Sequence, residues 1–326
     1  MQGQKFNLQY GQLSNKNLNL RQYLWLMLLL DGKVASQTIK QNLTAATKKL
    51  LEQGKRAPHL AAILTGNNGA SETYVASKVK TCGEIGYKST LIRLKETVEE
   101  EELLQRITEL NNDDSVDGIL VQLPLPKHIS EAKVINSVHP DKDVDGFHPV
   151  SVGRMVQGLD TFISATPYGI MLMLEHYQVQ TKGKHAVVIG RSNIVGRPMS
   201  ILLSTNQQYG NCTVTICHSH TLNLKEITLQ ADIIIAALGR AGFVKADMVK
   251  EGAIVIDVGI TRVEDATSKT GYRIKGDVDF TNVSKKASAV TPVPGGVGPM
   301  TIAGLMKNTM DAYVRRNLSD EIYIGT

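Results

Sequence analysis

From about residue 58 the chain alternates short, continuous apolar runs with longer stretches whose apolar residues recur at helical spacing. The run His59-Leu-Ala-Ala-Ile-Leu-Thr65 predicts a buried strand, stopped by the turn signal Gly66-Asn67-Asn68-Gly69. Residues 71–85 predict a helix with Ser71 as its N-cap and Gly86 as its stop. A second strand is expected at 89–94. A helix follows at 98–110, where Glu99, Glu100, Glu101 and Glu102 suit the positive end of the helix dipole. A third strand, 118–123, is closed by Pro124 and Pro126. Apolar strands alternating with amphipathic helices predict a parallel sheet covered on both faces.

A second series begins near residue 150. Its strands are expected at 185–189, 213–217, 233–237 and 253–258, and its helices at 196–205, 224–229 and 246–250. The pattern therefore predicts an α/β protein of two doubly wound domains with a cleft between them. The boundary should fall at 147–158, where proline, glycine and histidine cluster. A last helix, 301–317, follows a Pro/Gly-rich loop and is expected to pack back on the first domain. No fixed-period repeat argues for a solenoid.

Composition narrows the classes without changing this picture. With 326 residues, 42% of them hydrophobic and 21% charged, the chain is neither disordered, nor collagen-like, nor a disulfide scaffold. Its formal charge is +5, but Lys5, Lys16 and Arg21 lie in residues 1–26 with no acid beside them. The rest of the chain carries 33 basic against 31 acidic residues, and no basic run interleaves with aromatics. No nucleic-acid partner is expected. The run 24–30, ended by Asp31, is far short of the ~18 apolar residues of a membrane span, so no membrane partner is expected either. Residues 1–26, with the single tryptophan Trp25, read as a polar extension of unassigned role, with Met27 as the expected functional start. Cys82, Cys212 and Cys217 form no CxxC pair and read as reduced thiols rather than metal ligands; no metal is expected.

The clearest chemistry lies at the first strand of the second series. His185-Ala-Val-Val-Ile-Gly190 runs into Arg191-Ser192-Asn193-Ile194-Val195-Gly196-Arg197-Pro198, which opens a helix. Gly190 permits a tight turn, Gly196 permits close helix packing, and N–H groups at the helix start can meet a pyrophosphate. Ser192 stands where a standard dinucleotide fingerprint has its second glycine. The next strand ends in Cys217-His218-Ser219-His220 and offers no acid for a ribose hydroxyl, while Arg191 waits in the first turn. That combination favours the 2′-phosphate of NADP.

Four features outside this unit also carry chemistry. Tyr74 and Lys78 sit four apart, on one face of a helix. This spacing is shared with short-chain dehydrogenases, but there the pair follows the nucleotide fingerprint and here it precedes it. Gln122 lies near the end of a strand, where α/β sheets present ligand-facing groups. Asp141-Lys142-Asp143-Val144-Asp145-Gly146 alternates acids but lacks the downstream glutamate of an EF-hand. Thr291-Pro-Val-Pro-Gly-Gly-Val-Gly-Pro-Met300 combines stiffness with little side-chain bulk, which lets backbone approach a flat ligand.

Together these segments resemble the bifunctional methylenetetrahydrofolate dehydrogenase/methenyltetrahydrofolate cyclohydrolases. The resemblance is carried by Tyr74-Val-Ala-Ser-Lys78, Asp117-Gly-Ile-Leu-Val-Gln-Leu-Pro-Leu-Pro126, Pro140-Asp-Lys-Asp-Val-Asp-Gly-Phe147 and Gly190-Arg-Ser-Asn-Ile-Val-Gly-Arg-Pro198. Gly252-Ala-Ile-Val-Ile-Asp-Val-Gly-Ile260 and the stretch 291–301 complete it, in family order from about Met27 onward. It implies hydride transfer from 5,10-methylenetetrahydrofolate to NADP, then hydrolysis of the methenyl product to 10-formyltetrahydrofolate. It implies a substrate domain of residues 27–147 with about 302–326, and a Rossmann-type NADP domain of residues 148–301. Lys78 is then the catalytic lysine, Gln122 tunes and orients it, and Asp145 binds the pterin. Tyr74 stacks on the folate, flanked by Val121 and Leu123, and Pro294, Gly295, Gly296, Gly298, Pro299 and Thr301 cover it. Gly190, Arg191, Ser192, Ser219 and Ile260 match the family's nucleotide contacts. The resemblance further implies a cytoplasmic homodimer in one-carbon metabolism, serving purine biosynthesis. Two other readings remain beside it: a different two-domain dehydrogenase with its substrate domain first, and a non-catalytic dinucleotide sensor.

Overall fold

In a computed structural model, residues 27–268 and 271–318 are described. The expected polar extension 1–26, including Trp25, and residues 319–326 lie outside them. The chain enters through a two-residue strand, β1 (Leu28–Leu29), and a long helix, α1 (Gly32–Glu52). The first α/β series follows as β2 (His59–Thr65), α2 (Gly69–Ile85), β3 (Lys88–Leu94), α3 (Glu100–Asn112), β4 (Gly118–Val121) and α4 (Glu131–Ser137). Two helices, α5 (Pro149–Val156) and α6 (Ala165–His176), lead to β5 (His185–Ile189), α7 (Gly196–Ser204), β6 (Thr213–Cys217), α8 (Leu224–Thr228) and β7 (Ile233–Ala236). The last part holds β8 (Ile254–Asp257), β9 (Thr261–Glu264), β10 (Tyr272–Lys275), α9 (Phe280–Val283), β11 (Ala289–Val290) and α10 (Val297–Asn317).

Two parallel sheets result, as the apolar strands predict. The smaller has the order β3-β2-β4, the larger β1-β11-β8-β7-β5-β6, and β9 and β10 form a separate antiparallel pair. All seven residues of β2 are buried, and their alternation divides them between two cores. Leu60, Ala62 and Leu64 pack with Val75 of α2 and Leu305 of α10; Ala61 and Ile63 pack with Leu103 and Ile107 of α3. In β5, Ala186 and Val188 face Ile170 of α6 and Met199 of α7, while Val187 and Ile189 face Val244 and Val249. Burial on both faces is why these strands carry no polar alternation.

Several boundaries differ from expectation, each for a local reason. Helix α2 begins at Gly69, not 71, because the Asn68 side chain accepts hydrogen bonds from the N–H groups of Ala70 (3.0 Å) and Ser71 (3.2 Å); Ser71 is inside the helix, not its cap. Gly86 does end it, in the left-handed conformation. The helix expected at 98–110 runs two residues later, with Glu99 at its N-cap. At 246–250 only a single 3-10 turn forms, Ala246–Met248. The final helix starts at Val297 rather than 301, so Gly298 and Pro299 are helical rather than loop.

Helix α10 packs on α6 and α1 and also meets α2, β2 and β4. Its approach to α6 is set by two glycines. A Cβ on Gly169 would overlap the Met300 carbonyl, and one on Gly304 would press on the Ala165 carbonyl at 2.7 Å. This crossing holds the start of α10 close to α2. No helix among the described residues is long and apolar enough to cross a membrane.

Candidate active site

The first half of the site gathers at the C-terminal edge of the small sheet. Lys78 lies on the buried face of α2 and is only 4% exposed. Its ammonium donates to Gln122 Oε1 at 3.2 Å and lies 4.6 Å from the Tyr74 ring centroid. The shared helical face predicted for Tyr74 and Lys78 is therefore present. Gln122 follows β4 directly: its backbone N–H still bonds Ile63 O (2.9 Å), and its side-chain amide donates to Leu123 O at 2.6 Å. The glutamine oxygen is thereby fixed toward Lys78, between Val121 and Leu123.

Burial dominates the electrostatics here. Desolvation lowers the pKa of Lys78, opposed in part by the nearby Asp145 carboxylate. Desolvation raises that of Asp145, opposed in part by Lys78. Each group is pushed toward its neutral form while attracted to the other's charge. The Tyr74 hydroxyl is driven well above its usual value by desolvation, against a hydrogen-bonding influence of Thr301, so it stays protonated. Thr301 also meets Thr166 of α6, oxygen to oxygen, at 3.1 Å. The start of α10 thus comes together with Tyr74, Lys78 and Asp145.

The loop carrying Asp145 is fixed by residues to which the sequence reading gave no individual role. Buried Lys142 donates to Leu110 O (2.9 Å) and Asp113 O (2.7 Å) at the end of α3. Buried Asp143 accepts from the N–H groups of Phe147 (3.2 Å) and His148 (2.9 Å) and from the Ser151 hydroxyl (2.8 Å). Desolvation pushes its pKa up to about 7. Asn308 of α10 donates to Val144 O and Ile163 O, each at 2.8 Å.

The second half lies at the C-terminal edge of the large sheet. Gly190 follows β5 and donates its N–H to Cys217 O of β6 (2.8 Å). Side chains at Gly190 and Gly196 would overlap the carbonyls of Ala237 and Gly190, so the turn tolerates only glycine. The Ser192 hydroxyl accepts from Val195 N–H (3.2 Å) and Gly196 N–H (3.3 Å), taking two of the donors expected to be free at the start of α7. Arg191 and Ser219 are exposed on the adjoining ends of β5 and β6, and Ile260 is 70% exposed just past β8. His218 is held below its ordinary pKa by lost hydration and then by the positive charge of Arg191 and of His220. This cationic corner, beside a glycine-tight turn opening a helix, fits a phosphorylated dinucleotide.

Two buried aspartates brace the same edge, neither of which the sequence reading gave a role. Asp277 accepts from the N–H groups of Leu238 (2.6 Å), Gly239 (2.9 Å) and Arg240 (2.7 Å). Asp257 accepts from Gly259 (2.9 Å), Asp277 (2.8 Å) and Val278 (3.0 Å). The loops after β7 and β8 are locked together by these carboxylates. Desolvation lifts Asp257 to about 6 against the pull of those donors.

A parallel sheet ending in a glycine turn, joined to one ending in a buried lysine, glutamine and aspartate, defines a two-domain dinucleotide-dependent oxidoreductase. Residues 30–145 match the family model for the tetrahydrofolate dehydrogenase/cyclohydrolase catalytic domain, and residues 164–317 that for its NAD(P)-binding domain. The chain belongs to the tetrahydrofolate dehydrogenase/cyclohydrolase family. It is 61% identical over 295 residues to the bifunctional protein FolD of Flavobacterium johnsoniae, covering 90% of this chain and 100% of that one. A bifunctional FolD methylenetetrahydrofolate dehydrogenase/cyclohydrolase structure from Campylobacter jejuni superposes with a TM-score of 0.83 at 50% identity, covering 89% of this chain and 99% of that one. The Trypanosoma brucei dehydrogenase-cyclohydrolase, solved with NADP and an inhibitor, gives a TM-score of 0.84 at 35% identity, covering 89% and 98%.

Proposed function

We propose that this chain oxidises 5,10-methylenetetrahydrofolate with NADP and hydrolyses the methenyl product to 10-formyltetrahydrofolate in one cleft. The observation that carries the reading is the buried Lys78, hydrogen-bonded to Gln122 and coupled electrostatically to Asp145, on a face shared with Tyr74. Bound NADP supplies the hydride acceptor. Arg191 meets its phosphates, with Gly190, Ser192, Ser219 and Ile260 around it, while the N–H groups of Val195, Gly196 and Arg197 stay on Ser192. Tyr74 stacks on the folate and Asp145 receives N–H groups of the pterin. Val121 and Leu123 line the wall, and residues 294–301 cover the ring.

Hydrolysis makes the heavier demand on side chains. Water must add to the methenyl carbon and lose a proton before the ring opens by C–N cleavage. Burial shifts Lys78 toward the free amine, and the cationic substrate shifts it further the same way. With one N–H given to Gln122, the amine keeps its lone pair for the proton of the attacking water. Hydride transfer needs only that the two rings be held face to face.

We infer a division in which residues 27–147 and about 302–326 hold the folate and residues 148–301 hold the nucleotide. We also infer a cytoplasmic homodimer, its product feeding purine biosynthesis. Free Cys82, Cys212 and Cys217 suit a reducing compartment. The unpaired edge of β6, where Ile216 is 41% exposed, offers the second domain a surface for self-association. The deciding assay follows methylenetetrahydrofolate-dependent reduction of NADP, then of NAD, and the decay of the methenyl product. Folate-dependent NADP reduction with methenyl decay above the spontaneous rate is expected. Absence of both sinks the proposal.

A further inference from the structure

Ser164 occupies the N-cap position of α6, yet its side chain makes no capping hydrogen bond to that helix. A serine there ordinarily accepts from an N–H of the first turn. Here the hydroxyl, 2% exposed, instead donates to the Ile194 carbonyl at 2.8 Å, inside the turn between Gly190 and Gly196. On its other side Ser164 is pressed by the loop that carries Asp145. Gly146, with φ +69°, sits so close that a Cβ on it would lie 2.5 Å from Ser164 N and 2.6 Å from the Ile163 carbonyl carbon. Asn308, 2% exposed, spends both amide hydrogens on the residues just before Asp145 and just before Ser164.

We propose that Ser164 is a positioning residue that couples the nucleotide turn to Asp145, so that NADP binding and folate binding favour each other. The proposal rests on the dehydrogenase/cyclohydrolase reading. The path is short and runs inward from the exposed turn: Ile194, the buried Ser164 hydroxyl, the backbone of 163–164, then Gly146 and the Asn308-bridged Val144 on either side of Asp145. A nucleotide that fixes Ile194 O restricts this backbone, and the folate then meets an Asp145 already placed. The effect must be reciprocal, because coupling is a property of both equilibria.

The test titrates a non-reactive folate analogue into the full-length protein by calorimetry, with and without saturating NADP, in native protein and in Ser164→Ala. NADP should tighten analogue binding about fivefold or more in the native protein, the lower range of ordinary coupling. In Ser164→Ala the ratio should fall below about twofold while each ligand alone binds within about twofold of native. Should Ser164→Ala not fold, Ser164→Thr, which keeps the hydroxyl, should retain the coupling and the isosteric Ser164→Val should lose it. An equal ratio in native protein and variant, or no coupling in native protein, overturns the inference and leaves the function intact. Failure of native protein to bind the folate analogue at all overturns the function itself.

Discussion

At the residue scale the site runs on desolvation. Lys78, Asp143, Asp145 and Asp257 are all buried and all pushed toward neutrality. Asp143 moves from an ordinary 3.8 to about 7 on folding, so the folded state holds its proton more tightly. Stabilisation from that proton is complete below the unfolded value and is lost as pH rises through about 7. Thermal melts at pH 5 and pH 8 should therefore differ less in Asp143→Asn than in the native protein; an unchanged difference contradicts the assignment. For the nucleotide, Arg191→Ala should raise KM for NADP at least about tenfold more than KM for NAD, consistent with one lost charge-assisted phosphate contact. Steady-state kinetics with both nucleotides decides, and an equal effect removes Arg191 from the phosphate corner. Tyr74, Lys78 and Gln122 were legible because their spacing or strand position marks them. Asn308, Asp257 and Asp277 were not, since most of their partners are backbone groups far away in sequence and the residue types alone announce nothing.

At the scale of elements, β2 to β8 and helices α2, α3, α7 and α8 could be read from the pattern of apolar residues, whereas the short strands β1, β9, β10 and β11, the short helices α4, α5 and α9, and two long helices could not. Helix α1 turns Gly32, Ala35, Ser36 and Thr47 inward with only Leu43 and Leu50, so its buried stripe is small and polar rather than apolar. Helix α6 is the opposite case: Ile170, Met171, Met173 and Leu174 leave little polar face, and periodicity vanishes. Both matter because α10 is wedged against them and carries residues 297–301 of the proposed folate cover. The Gly169 crossing is the sensitive point. Gly169→Ala should cost about 1–3 kcal/mol by overpacking, read by urea unfolding. It should also raise KM for the folate, because the start of α10 must retreat from Tyr74. A variant as stable as native would show that α6 and α10 have room to part.

Across the whole molecule, the two sheets present their C-terminal edges to a common region, as ligand sites in open α/β sheets require. The doubly wound pattern and the order of substrate unit before nucleotide unit were both legible. The return of α10 to the first unit was expected too; its sharing of both cores was not, nor was the reach of β1, Leu28–Leu29, into the large sheet. Folding of the two units should therefore be strongly linked, and urea unfolding followed by far-UV dichroism and by bound-NADPH fluorescence should give coincident transitions. Separate midpoints contradict that linkage.

The central claim is that one buried lysine serves the hydrolytic step. Its most direct measurement is cyclohydrolase turnover of Lys78→Ala, with circular dichroism and NADP binding as controls for the fold. The account predicts loss of at least about two orders of magnitude, the scale of a lost general acid–base group, with fold and NADP affinity retained. Full cyclohydrolase turnover in that variant would contradict it.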